Sequence, residues 1–298
     1  MKTLYTLFAI SAVCISCNTN KKADTSKNAT TTAETITTEQ TSKATFLTET
    51  VGLSHCESAV YDAQRDVIYA SLIGDRALGD GSVATVGVDG KLINAQFVSG
   101  LNDPKGIAIT KDRLYVSDVT ELIEADITTG KVLKKHTAEG IEFLNDVAIA
   151  ADGAIYVSDT RASKVFKLDT DGTFGLWLDD PKLDSPNGLL IQGNTMYVAS
   201  WGGAPEGGRV SKLDMSTKKI VPVTEIIGNL DGIRPYDTNH LLISDWRSGK
   251  THLMNYDGTT KEVVTVGQSV GDIAYIKEKN LLLLPMNKQS RLLFYELK

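Results

Sequence analysis

Residues 45–298 predict an all-β domain, a six-bladed β-propeller of four-stranded blades, from three observations. Apolar residues come in runs of four to seven, are rich in β-branched and aromatic types, and are separated by Asp-Gly, Asn-Gly and Thr-Gly turns. One short phrase recurs six times in this region. Dividing the region by six gives roughly 42 residues per repeat, the usual length of a four-stranded blade.

The first 17 residues predict an export signal. Lys2 precedes an apolar run from Leu4 to Ile15, which is too short to span a bilayer. The run ends at Ile15-Ser16-Cys17, which resembles a bacterial lipoprotein box with Cys17 as the lipidated residue. Plain secretion with a nearby cleavage site is the alternative. Lipidation of Cys17 would leave Cys56 as the single thiol of the mature chain, so no internal disulfide is expected.

Residues 18–44 predict a disordered tether. They consist almost entirely of Thr, Lys, Asn, Ala and Glu, with too few apolar groups to offset the entropy lost on ordering. The chain carries a net charge of −6, and its first 44 residues carry five lysines and three acidic residues, so the region from residue 45 carries −8. This charge has the wrong sign for binding nucleic acid, which we exclude as a partner.

The recurring phrase marks the second strand of each blade. We measure its spacing between the second residue of each of the first four copies and the first residue of each of the last two, which are Tyr69, Tyr115, Tyr156, Tyr197, Leu242 and Leu283. The steps are 46, 41, 41, 45 and 41 residues. Blade four shows the pattern most fully, with strands expected at 188–191, 195–200, 209–213 and 220–224. The last repeat has only three strands, so Thr45–Val51 is expected to close the ring as its fourth.

The start of each innermost strand predicts a ring of oxygen ligands around the central channel. Counting back ten to twelve residues from each phrase gives Glu57, Lys105, Asn145, Asn187, Asp231 and Asp272. Carboxylate and amide oxygens from separate blades can be satisfied together by one hard cation, and the set contains no His or Cys. Ca²⁺ is therefore expected, with Mg²⁺, Zn²⁺ or Mn²⁺ as alternatives. Ordinary turn dipeptides would explain the Asn and Asp positions but not Glu57.

Four segments carry a family resemblance. They are Glu57–Asp62, Leu144–Ala148 with Asp152-Gly153 and Tyr156–Asp159, Ser185–Leu189, and Leu230–Ile233. As an ordered set they resemble the signature stretches of the senescence-marker-protein/gluconolactonase/luciferin-regenerating-enzyme-like family of six-bladed propellers, over residues 45–298. The resemblance implies a divalent metal, usually calcium, held by Glu57, Asn187 and Asp231. It places Asn145 on or near the metal, in contact with substrate.

The resemblance also implies a reaction. Asp231 would act as general base or nucleophile in opening a lactone, and related propellers with the same cage cleave phosphotriesters. Sugar-lactone members commonly carry Arg two residues before the Asn that matches Asn145, where this chain has Phe143. A less polar ester or lactone therefore has equal weight as substrate. Asp272 is the alternative base if it faces the channel.

Two tryptophans are candidates for the wall of the substrate pocket. Trp201 and Trp246 follow the second strands of two successive blades, at the channel mouth. Packing between blades is the alternative role for both side chains. With Phe143 they would give the pocket an apolar surface.

The leading hypothesis is a calcium-dependent hydrolase of a lactone or related ester, gluconolactonase-like, monomeric and lipid-anchored in the bacterial cell envelope, facing the periplasm or the exterior. Phosphotriester hydrolysis in the same cage is one alternative. A non-catalytic propeller lipoprotein that binds a ligand or a protein is the other, because the fold alone does not decide function.

Overall fold

The computed structural model describes residues 44–298, which form six four-stranded antiparallel sheets. This confirms the predicted six-bladed β-propeller. The predicted signal segment 1–17, with Cys17, and nearly all of the tether 18–44 lie outside the described residues. Within residues 44–298, no helix is long and apolar enough to cross a membrane, and the helical segments are two short 3₁₀ turns at Pro181–Leu183 and Lys277–Lys279.

The strands of each blade are given from the innermost to the outermost. In blades 1 to 3 they are β2 Cys56–Asp62, β3 Val67–Leu72, β4 Gly81–Gly87 and β5 Leu92–Leu101; β6 Pro104–Ile109, β7 Arg113–Asp118, β8 Glu121–Asp126 and β9 Val132–His136; β10 Leu144–Ile149, β11 Ile155–Asp159, β12 Lys164–Leu168 and β13 Phe174–Asp179. In blades 4 to 6 they are β14 Pro186–Gln192, β15 Thr195–Ser200, β16 Val210–Asp214 and β17 Ile220–Pro222; β18 Leu230–Pro235, β19 His240–Asp245, β20 Lys250–Asn255 and β21 Thr260–Thr265; β22 Ala274–Ile276, β23 Leu281–Met286, β24 Arg291–Leu297 and β1 Ala44–Val51.

The amino-terminal strand closes the ring, as the sequence predicts. Strand β1 pairs antiparallel with β24, from Ala44 opposite Leu297 to Val51 opposite Arg291. The free edge that an open ring would leave is thereby paired.

The core lies between neighbouring blades. At the junction of blades 1 and 6, Ile68, Leu283 and Phe294 belong to one buried apolar cluster and are at most 1% exposed. Burying each such side chain contributes roughly 1.5–3 kcal/mol, so the packed faces of the sheets hold the ring together. The outermost strands are partly exposed to solvent, as Leu92 and Ile93 show at the start of β5.

The aspartates that end the recurring phrase cap turns. Asp118 accepts hydrogen bonds from the backbone N–H groups of Asn102 and Asp103, at 2.9 and 2.7 Å. In blade 3, Asp159 accepts hydrogen bonds from the backbone N–H groups of Glu142 and Ala162. Each carboxylate therefore ties the second strand of its blade to a neighbouring loop.

The serine of the phrase has a role that the sequence analysis did not anticipate. Ser158 accepts a hydrogen bond from the N–H of Asp146 at 2.9 Å and donates one to the carbonyl of Asn187, in the next blade, at 2.7 Å. Ser244 repeats this with Gly232 and Gly271, both at 2.8 Å. The hydroxyl thus accepts a hydrogen bond from a backbone N–H group of its own blade and donates one to a carbonyl of the next blade.

Candidate metal centre and active site

A cavity of about 470 Å³ lies where the innermost strands begin. Seven of the residues predicted for the site line it: Glu57, Asn145, Asn187, Asp231, Phe143, Trp201 and Trp246. A cavity of about 460 Å³ is also lined by the later residues of β2, β18 and β22, but its carboxylates belong to the exposed Glu278 and to Asp237, which His240 already pairs at 2.8 Å. The first cavity is therefore the candidate site.

Local backbone irregularity positions the polar side chains. In each of blades 1 to 5, the pairing of the first and second strands shifts register at the predicted ring position, as between Leu144 and Val147 or between Leu230 and Ile233. A bulge re-aims a side chain that a regular strand would direct elsewhere. The bulges of β10 and β18 hold Asn145 and Asp231, which explains why these residues line the cavity.

Close contact between neighbouring inner strands also fixes the site. A Cβ atom at Gly188 would lie 2.1 Å from the carbonyl oxygen of Asp231. The equivalent residue of β15 is Ala199, so no serine hydroxyl bridges this junction as Ser158 does elsewhere. Glycine at 188 therefore allows blades 4 and 5 to meet directly beside Asp231.

The two asparagines are oriented by hydrogen bonds from their amide nitrogens. Asn145 Nδ2 donates to Thr160 Oγ1 at 3.0 Å, and Asn187 Nδ2 donates to the carbonyl of Leu230 at 3.2 Å. Thr160 in turn donates to the carbonyl of Pro186 at 2.8 Å. With their NH₂ groups held by protein acceptors, both side chains have a carbonyl oxygen left to offer a ligand.

The two carboxylates of the predicted metal ligands, Glu57 and Asp231, are buried with few neighbours that would stabilise their negative charge. Glu57 and Asp231 are 6% and 3% exposed, and Glu57 Oε2 has no hydrogen-bond partner. Burial raises the pKa of Glu57 to about 7, with Lys105 opposing the shift and Asp146 adding to it. Burial, followed by the charge of Glu57, also raises the pKa of Asp231 well above its usual value. A divalent cation would offset this cost of burial by stabilising the charged forms of both carboxylates.

The donor set therefore fits a hard divalent cation. Two carboxylates balance its charge, two amide carbonyls add neutral oxygens, and the orphaned oxygen of Glu57 gives it a place to bind. Residues 44–298 contain no cluster of three or more His, Cys, Asp or Glu side chains that could hold a metal. The set proposed here has two such residues and completes its ligands with asparagine, which suits Ca²⁺ better than Zn²⁺.

Asp272 is not among the residues that line the cavity, which corrects its prediction as a pocket residue. Val270 pairs with Met286 and Ala274 with Leu283, so Gly271, not Asp272, occupies the ring position of blade 6. Its carbonyl accepts the hydrogen bond of Ser244, just as the carbonyl of Asn187 accepts that of Ser158.

Asp272 instead belongs to a second buried layer, one residue further along the inner strands. Arg234 contacts the carboxylates of Asp272 and Asp146, the latter at 3.5 Å. Ser58 donates to Asp272 at 2.8 Å, and the N–H of Leu189 donates to Asp146 at 2.7 Å. Arg234 thus supplies a fixed positive charge beneath the ring, which no spacing rule in the sequence indicates.

Three basic residues also line the cavity: Arg76, Lys105 and Arg161. Lys105, at the ring position of blade 2, is only 6% exposed and pairs with Asp103 at 3.0 Å. Its ring position signalled that it faces the channel. Arg76 and Arg161 lie on loops, where the repeat pattern gives no indication of which way a side chain points.

Aromatic side chains form the remaining wall. Trp201 and Trp246 both line the cavity and pack edge to face across blades 4 and 5, with ring centroids 5.6 Å apart. Phe143 lies beside Lys105 and Arg161. An apolar wall opposite a few convergent polar groups is typical of a small-molecule site.

No protein-family model and no curated protein matches the chain. Among solved structures, a protein provisionally named a gluconolactonase has a TM-score of 0.69 at 18% identity, covering 86% of this chain and 92% of that one. A gluconolactonase from Xanthomonas campestris has a TM-score of 0.65 at 18% identity, covering 86% and 90%. A catalytically inactive virginiamycin B lyase from Staphylococcus aureus, with quinupristin, has a TM-score of 0.63 at 9% identity, covering 86% and 100%. The chain thus shares its propeller fold with structural neighbours that include gluconolactonases.

Proposed function

We propose that the chain is a Ca²⁺-dependent hydrolase of a lactone or related ester. The observation that carries the proposal is the pairing of two buried carboxylates, one with an unpartnered oxygen, in a cavity with an aromatic wall. The gluconolactonase names of two structural neighbours support the same reaction class. As the sequence predicts, the enzyme would act in the cell envelope as a monomer, anchored through Cys17.

The chain's own side chains account for holding the reactants. Glu57, Asn145, Asn187 and Asp231 would hold the cation, which supplies Lewis-acid polarisation of the substrate carbonyl. Trp201 and Trp246 would exclude water from one side of the bound substrate.

Asp231 is the candidate general base. Its burial raises its pKa, and a more basic carboxylate accepts a proton from an attacking water more readily. The charge of a bound cation acts in the opposite direction, so Asp231 would keep only moderate basicity. After the ring opens, the same carboxyl group can return its proton to the leaving alkoxide.

The test is a panel of lactone, aryl-ester and phosphotriester substrates, measured with calcium and with chelator. We expect lactone or ester turnover that chelation abolishes, and a loss of at least about 100-fold in Asp231→Asn with an unchanged fold. Asp179→Asn, an exposed carboxylate on β13, is the matched control. Turnover of phosphotriesters alone would replace the substrate class. Turnover of nothing, with metal bound, would favour a binding protein and overturn the proposal.

A further inference from the structure

Several positively charged side chains line the cavity, although the domain as a whole carries a net negative charge. Among residues 44–298, Arg76 and Arg161 have no carboxylate within 4.0 Å, and both line the cavity with Lys105. Glu57 and Asp231 would be neutralised by the cation of the proposed function, and Asp103 offsets Lys105. The walls that remain carry two uncompensated positive charges.

The ring of Phe143 contacts two of these positively charged side chains, Lys105 and Arg161. The Nζ atom of Lys105 lies 4.9 Å from the centroid of the Phe143 ring, and Cζ of Arg161 lies 4.3 Å from the same centroid. Cation–π contacts of this kind hold the charged ends close to one ring. Lys105 donates to Asp103 at 3.0 Å, which leaves two of its three N–H donors for another acceptor.

We propose that the substrate carries a carboxylate group, which binds to Arg161 and Lys105 at Phe143. The inference rests on the proposed function for the cation that neutralises Glu57 and Asp231 and for the position of the reacting carbonyl beside them. A carboxylate matches the planar donor face of arginine, and the apolar part of the substrate packs on Trp201 and Trp246. The substrate class is a carboxylate-bearing lactone or ester with an apolar ring.

Binding is tested apart from hydrolysis. Calcium-loaded protein is titrated with naphthoate and with naphthamide, which differ in charge, by isothermal titration calorimetry. We expect naphthoate to bind about tenfold more tightly, and Arg161→Gln to reduce this preference about 5- to 10-fold. Arg161→Lys should retain part of it. Arg247→Gln, which removes an exposed arginine next to Trp246 that does not line the cavity, is the matched control.

Equal affinity for the two probes would overturn the inference. A preference for naphthoate that survives Arg161→Gln would also overturn it, because another positive charge, such as the calcium ion, would then hold the carboxylate in place of the arginine. A separate experiment measures the kcat/KM for hydrolysis of a phthalide carboxylate and of its carboxamide. Selective binding without turnover would support the anion site while the proposed hydrolysis fails. Equal kcat/KM for both lactones would support hydrolysis while this inference fails.

Discussion

Replacing Glu57 by Gln should stabilise the metal-free protein and remove its response to calcium. Burial raises the pKa of Glu57 from 4.5 to about 7, so in the folded, metal-free protein Glu57 is mostly protonated below about pH 7. Above pH 7 the charged form then costs on the order of 3 kcal/mol of folding free energy. Glutamine keeps the shape of the side chain and removes the charge.

The size of the effect follows from the domain's length. For a domain of this size, about 3 kcal/mol corresponds to roughly 6–12 °C in Tm. In chelator at about pH 8, Glu57→Gln should melt above the wild type by up to this amount, and at about pH 4 the difference should vanish. Calcium at about 100 times its Kd should stabilise the wild type by about 2.7 kcal/mol and the variant by much less.

Differential scanning calorimetry at both pH values, with calcium and with chelator, measures all four states. Glu139→Gln, at an exposed position, is the matched control and should leave Tm unchanged. If Glu57→Gln melts below the wild type in chelator at about pH 8, protein groups already stabilise the Glu57 carboxylate. The argument that this oxygen needs a cation would then fail.

Three further predictions concern the same region. Calcium affinity should fall by up to about tenfold per pH unit below pH 7, because Glu57 must release a proton before it binds metal; titration calorimetry that shows a flat profile would contradict this. Gly188→Ala should destabilise the fold by about 3 kcal/mol or more in urea, since its Cβ would lie 2.1 Å from the carbonyl oxygen of Asp231, whereas Gly175→Ala meets no atom within 4 Å and should change stability little. Cys56 is fully buried, and burial raises the pKa of its thiol, so iodoacetamide should modify it in guanidinium but not in the native protein; peptide mass spectrometry that finds native labelling would show that this strand opens.

The sequence predicted the architecture because each blade repeats the same local signals. Blade 4 illustrates the precision: strands expected at 188–191 and 195–200 are observed at Pro186–Gln192 and Thr195–Ser200. Turn residues and apolar runs determine such elements locally. The closing role of Thr45–Val51 followed from counting strands, which requires no knowledge of side-chain contacts.

The site was less predictable than the fold, because a shift of one residue along a strand changes which side chain points toward the channel. Counting back from the phrase assigned Asp272 to the ring, although Gly271 occupies that position. Blade 6 departs from the other repeats, since Pro285 replaces the recurring serine and β22 has only three residues, so its alignment was loosely determined. Arg234 could not be found by spacing, because its partners Asp146 and Asp272 come from two other blades.

The pairing of β1 with β24 links the earliest and the latest parts of the propeller during synthesis. Blade 6 cannot be completed until the ribosome has passed Leu297, so Ala44–Val51 must wait without a partner while five blades emerge. Such long-range pairing slows folding and leaves an unpaired strand exposed to aggregation. If the chain is exported unfolded, as the sequence predicts, the ring would close only after translocation of the whole domain.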